Sequence, residues 1–223
     1  MIQAVVFDLD DTLYPEHQFV QSGFRAVDHW LAHERSWIGF FAQASALFQS
    51  GHRGMIFNQA LEQMNWPFDE KLIQQMIKVY RDHKPSISLH RDAQLAIADL
   101  RGGTKLGIIT DGFLQTQRNK VEALGIGEDF DAIIYSDQFG RENWKPSPVP
   151  YQELMKTLSC EGPECVYVAD NPQKDFVTAK KLGWQTIWIN RPKGEYAGVR
   201  VESGFASCHA IESLAEVRTL ILS

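Results

Sequence analysis

Short runs of consecutive apolar residues punctuate the chain and predict a buried parallel sheet. They are Ala4–Phe7, Leu106–Ile109, Ala132–Tyr135, Val166–Ala169 and Thr186–Ile189. Each is rich in Val, Ile or aromatic residues and is followed closely by polar or turn residues, the pattern of strands covered on both faces. Between the later runs the apolar period lengthens to that of a helix. Arg91–Leu100 sets Ala93, Ile97 and Leu100 on one side, and Gln115–Leu124 stops at Gly125. Pro148–Leu158 and Asp175–Leu182 follow, the second stopping at Gly183. Ala210–Leu222 reads as a closing helix. Strand alternating with helix predicts an α/β fold, a doubly wound, parallel, Rossmann-like sheet.

The spacing is uneven. Asp10 and Thr110 stand 100 residues apart, whereas a β–α–β unit takes about 30. The surplus carries four amphipathic patterns: Gln18–His33, Trp37–Gln49, Arg53–Asn65 and a fourth opening at an N-cap, Asp69. Apolar residues recur in them near i, i+3/i+4, i+7. The breaks Ser50-Gly51 and Trp66-Pro67 fall where helices should end. The organisation expected is a core of residues 1–15 and 86–223, interrupted by a helical bundle over residues 16–85.

Charge narrows the function. With 22 basic and 28 acidic side chains the net charge is −6. A nucleic-acid or membrane-surface protein would normally carry a basic field. No apolar run approaches the ~20 residues of a membrane span, and Met1 leads directly into a strand-like run rather than a leader. Three cysteines without a C-x-x-C suggest neither a disulfide framework nor a zinc site, so a reduced, cytoplasmic setting is expected.

Ligands of open α/β sheets bind at the carboxyl ends of the strands. There the chain carries Asp8-Leu9-Asp10-Asp11-Thr12, then Thr110-Asp111-Gly112, Ser136-Asp137 with Lys145-Pro146, and Asp170-Asn171 with Asp175. Asp8, Asp10 and Asp170 would repel one another in a cleft. A hard divalent cation resolves this, and Mg²⁺ takes a few carboxylate oxygens plus waters. With the cation and Lys145 present, the site could accept a phosphate, held by the Thr110 hydroxyl and backbone N–H groups around Gly112. Asp11 reads as a cap or turn acid, Asp137 stays open, and Arg25 and Arg53 of the insert read mainly as solvated.

FDLDDT, IITDG, WKP and VADNPQKD, in this order from Val5 to Asp175, resemble the four motifs of the haloacid dehalogenase-like hydrolase superfamily. The resemblance implies Asp8 as nucleophile and Asp10 as general acid/base, with the Asp10 backbone carbonyl also a Mg²⁺ ligand. It implies Thr110, Asp111, Gly112 and Lys145 around the phosphate, with Lys145 pairing nucleophile and phosphate. It implies Asp170 as the main metal acid and Asp175 as the second, direct or through water. The insert resembles the alpha-helical cap of the subclass carrying one after the first motif. Two positions depart from the usual pattern: Ala169 replaces a common Gly, and Asp111 a common Asn or Ser.

The function so implied is a Mg²⁺-dependent phosphatase acting on a small phosphorylated metabolite through an aspartyl-phosphate, as a monomer or homodimer. A phosphomutase of the same family is the alternative. A 2-haloacid dehalogenase fits less well, because it has no leaving alkoxide to protonate and typically lacks the acid at Asp10. A receiver-like phospho-acceptor module disagrees in motif order.

Overall fold

The computed structural model describes residues 1–192 and 194–222. Six parallel strands form one sheet, β1 (Ala4–Phe7), β2 (Lys105–Thr110), β3 (Ala132–Tyr135), β4 (Cys165–Ala169), β5 (Gln185–Ile189) and β6 (His209–Ile211). Their order is β3-β2-β1-β4-β5-β6, so the chain winds one way from β1 and then the other. The alternation within β1 divides the core. Val5 and Phe7 join the cluster under α5 (Arg91–Leu100), α6 (Leu114–Leu124) and α9 (Val217–Leu222). Ala4 and Val6 face the opposite cluster, under α7 (Val149–Leu158) and α8 (Phe176–Lys181). The strand order reverses beside β1, between β2 and β4, which is where an open sheet gapes for a ligand.

The five runs anticipated all lie in strands, and the sixth strand corrects the closing helix expected over Ala210–Leu222. Ile211, Leu214 and Val217 repeat at a helical spacing, yet the first lies in β6, in register with Ile189 of β5. Asn190 N–H donates to the Ile211 carbonyl at 2.8 Å, and Cys208 N–H to Thr186 O at 3.0 Å. The ladder therefore satisfies backbone groups that a helix would have left open at the edge of β5. Helical turns begin only after Ser213, whose side chain caps them in a box with Glu216.

Between β1 and α5 stand α1 (Glu16–Arg35), α2 (Phe40–Gln49), α3 (Ile56–Gln63) and α4 (Glu70–Asp82). They bury their own cluster, including Phe24, Leu31, Phe40, Leu61 and Met76. Asp69 caps α4, accepting from Leu72 N–H at 2.8 Å. The start of α2 is capped from a distance: Asp28 on α1 accepts from Gly39 N and Phe41 N, each at 3.1 Å. Gly23 allows α1 and α4 to approach closely, since a Cβ there would strike the Tyr80 ring. Tyr80 packs against both this cluster and the core of the sheet. The connector from α4 to α5 runs along α1: Gln18 accepts from Ser88 N at 2.7 Å and Ser22 from Ser86 N at 2.9 Å. Among the described residues no helix is long and apolar enough to cross a membrane.

Candidate active site

Asp8 leaves the end of β1 and is buried. Its Oδ1 accepts from the Lys145 ammonium; its Oδ2 has no donor among the described residues. Lys145 is buried too, and donates to Tyr167 Oη at 3.0 Å while its Nζ lies 2.8 Å from Asp175 Oδ1. Burial pushes the Asp8 carboxyl up to about 6, against the pull of Lys145. Burial works the other way on Lys145, but Asp175 and Asp8 outweigh it and keep the ammonium charged. Asp175 is fully buried and also accepts from Asn171 N at 3.3 Å. Of the four acids expected around a cation, three face an ammonium: Asp8 and Asp175 that of Lys145, and Asp10 that of Lys120.

Asp10 is held by three donors. Lys120 Nζ lies 2.6 Å from Oδ1, Gln117 Nε2 donates to Oδ2 at 2.9 Å, and the Tyr14 hydroxyl donates to Oδ1. Burial would raise this carboxyl, but the Lys120 charge and the three hydrogen bonds overcome it and hold Asp10 below the usual carboxylate range. The same Gln117 amide donates to Thr110 Oγ1 at 2.5 Å. One side chain thus ties the hydroxyl at the end of β2 to the acid after β1.

Both oxygens of the Asp111 carboxylate are held. Its Oδ1 accepts from Lys145 N at 3.1 Å and its Oδ2 pairs with Lys174 at 3.0 Å. Burial opposes its charge, and Lys145 and Lys174 prevail, keeping the carboxyl low. Gly112 follows with φ +126°, and a Cβ there would come within 2.9 Å of Gln117 Oε1. Asp11 is a cap, accepting from Glu16 N at 2.8 Å. Asp137 is a loop staple, accepting from Leu114 N at 2.9 Å and Trp144 Nε1 at 3.1 Å.

Asp8, Asp10, Asp111, Gly112, Asp170 and Lys174 face a common cavity of about 230 Å³. Asp170, at the end of β4, makes no hydrogen bond or ion pair with its side chain among the described residues. Burial, then Asp8, Asp175 and Asp11, drive its carboxyl well above the normal range. Two crowded carboxylates, each with an oxygen that nothing donates to, are what a hard cation would relieve. Among the described residues no three or more His, Cys, Asp and Glu side chains converge as a complete cage. Two carboxylates with a backbone carbonyl and waters suit Mg²⁺, which keeps several waters, better than Zn²⁺, which wants His and Cys.

The sequence profile of the haloacid dehalogenase-like hydrolase family matches residues 5–189. The chain belongs to this family. It is 31% identical to a glyceraldehyde 3-phosphate phosphatase of Methanocaldococcus jannaschii, over 99% of this chain and 97% of that one. An N-acylneuraminate-9-phosphatase of Rattus norvegicus is 29% identical over 61% of this chain and 53% of its own length. In structure, a 2-haloacid dehalogenase of Pseudomonas syringae superposes with a TM-score of 0.70, covering 100% of this chain and 99% of that one. At 23% identity that likeness speaks for the fold alone.

Among the side chains of this hydrolase's site that escaped the sequence reading are Tyr14, Gln117, Lys120 and Lys174. A signal for two of them was present. Gln117, Lys120, Val121 and Leu124 fall at i, i+3, i+4 and i+7, the apolar stripe of α6. Polar residues on a buried stripe need partners, and Gln117 and Lys120 find them in Thr110 and Asp10. Tyr14 and Lys174 carried no such signal, because each lies in a loop whose path only the fold defines.

Proposed function

We propose that the chain is a Mg²⁺-dependent phosphatase that hydrolyses a small phosphorylated metabolite through an aspartyl-phosphate on Asp8. The observation that carries this is the buried Asp8–Lys145–Asp175 chain at the end of β1, with the second oxygen of Asp8 left without a donor. Asp8 attacks phosphorus, and the P–O bond to the leaving group breaks. Lys145 neutralises charge on the transferring group, and Asp175 holds Lys145 in place. The Thr110 hydroxyl and the N–H groups around Gly112 hold phosphate oxygens. Asp10 protonates the leaving oxygen and then takes a proton from the water that attacks the intermediate. Its low resting pKa suits the second task. An arriving phosphate dianion raises that pKa by like charge, the direction the first task needs. Asp8, Asp170 and the Asp10 backbone carbonyl would hold the Mg²⁺. The bound ion supplies positive charge against the phosphate oxygens.

The helices α1–α4 serve as a cap that closes the cleft and excludes water; Arg53 of the cap pairs with Glu195 of the core at 3.3 Å. Cys160, Cys165 and Cys208 are free thiols, which supports a cytoplasmic setting. The test is phosphate release over a panel of phosphorylated metabolites with Mg²⁺, glyceraldehyde 3-phosphate included, with Asp8→Asn as control. Release that depends on Asp8 is expected. No release above that control on any compound refutes the reading.

A further inference from the structure

Where the leaving group goes is written in the cap. The cleft of about 230 Å³ is lined mainly by charged side chains, with Trp144 and Tyr196 among them, and a phosphate with a hydrated cation takes up much of it. A second cavity, of about 380 Å³, lies within the cap between α1, α3 and α4. Its walls include Phe24, Phe48, Phe57, Ile73 and Tyr80, and no acidic side chain faces it. The rings form a connected set: Phe24 lies 6.2 Å from both Phe48 and Phe57, and Phe57 lies 5.7 Å from Tyr80.

One ion pair links the two cavities. Arg53 lines the cap cavity, and its ion-pair partner Glu195 lines the cleft. Tyr80 belongs to the cap cavity and packs edge-on against Phe19 of the core cluster at 5.4 Å. The apolar cavity therefore lies one ion pair away from the cleft that holds Asp8. The chamber has the room of about a dozen water molecules. A three-carbon leaving group would not fill it, and its walls are mostly apolar, with Arg53, Asn58 and Arg81 at the margins of the aromatic set.

We infer that the preferred substrate is a phosphomonoester whose leaving group carries an apolar or aromatic body, which seats against Phe48, Phe57, Ile73 and Tyr80 in the cap. This rests on the phosphatase reading and deepens it. The body gains by leaving water for an aromatic wall.

The experiment is a ladder of ω-phenylalkyl phosphates with linkers of two to six carbons, read against ethyl phosphate and glyceraldehyde 3-phosphate by phosphate release. All the phenylalkyl and ethyl esters lose a primary alkoxide, so a rise reports binding rather than leaving-group chemistry. The expected result is a kcat/KM at least about tenfold above that of ethyl phosphate at one linker length. Ile73→Trp and, separately, Asn58→Trp narrow the cavity from two sides and should collapse that selectivity ratio toward one. The ladder is read on the unmodified chain, so it stands even where a variant fails to fold. A flat ladder with release from ethyl phosphate or the triose phosphate intact overturns the inference and spares the phosphatase reading; the cavity would then belong to another occupant, such as a second copy of the chain. A rise that survives both folded variants also overturns it. No release from any ester above Asp8→Asn refutes both.

Discussion

Replacing Lys120 by Met tests whether Asp10 is held as a charge. Met keeps the aliphatic bulk against Phe19, whose ring lies 4.5 Å from the Lys120 ammonium, and deletes the charge. In the native chain Lys120 is 4% and Asp10 22% exposed at the side chain, with the pair at 2.6 Å. Breaking a buried pair by removing one partner costs about 3–5 kcal/mol. Tyr14 and Gln117 still donate to Asp10 in the variant and water reaches its edge, so a loss of about 2–3 kcal/mol at pH 7 is expected. The pH dependence has a definite sign. Native Asp10 titrates below its unfolded value, so it stabilises the fold above that value and the benefit is lost as pH falls through the native pKa. In the variant burial prevails, the carboxyl moves up, and the penalty it imposes at neutral pH disappears once it protonates. The stability gap is therefore largest near pH 7 and should narrow by at least about 1 kcal/mol by pH 4.5. Urea denaturation in chelator, so that no cation contributes, measures both numbers. A loss below about 1 kcal/mol at pH 7, or a gap that stays constant down to pH 4.5, refutes the account of Asp10.

Asp8→Asn should lower kcat by at least about a thousandfold with an unchanged circular dichroism spectrum; turnover near the native rate removes Asp8 from the nucleophile role. Chelator should silence the enzyme and Mg²⁺ restore it. Because burial lifts Asp8 to about 6 in the metal-free chain, protons should compete with Mg²⁺ below that pH. Titration calorimetry should show affinity weakening toward tenfold per pH unit between pH 6 and 5, and affinity constant across pH 7.5 to 5 would exclude Asp8 as a ligand. Gly23→Ala drives a methyl into the Tyr80 ring and should cost about 1–3 kcal/mol by thermal or urea unfolding; a neutral change would show that Tyr80 moves aside freely.

Much of this molecule can be read along the chain, for reasons that differ by element. β1, β2 and β4 are central strands, so their apolar runs are continuous and flanked by the residues that carry the chemistry. β6 has two exposed residues out of three, and its pairing with β5 is a non-local contact that no local pattern encodes. The starts of α2 and α3 lie later than their apolar periodicity suggests, because Gly39 and Met55 adopt positive φ ahead of them. Asp11 could be read as a cap from its neighbours. The partner of Asp111 could not, since Lys174 stands 63 residues away in the chain.

The sequence alone determined five of the six strands, the helical run between β1 and β2, and the set of acids, hydroxyl and lysine that follows the strand ends. Those follow from local periodicity and from the rule that strand termini face the ligand. Only the tertiary structure decided how these groups share charge. It set Asp175 against Lys145, left Asp170 without a donor, and locked Asp10 to Lys120. It also left a mostly apolar cavity among α1, α3 and α4. Burial and the distance between charges set those outcomes, and both exist only once segments far apart in the chain have packed together.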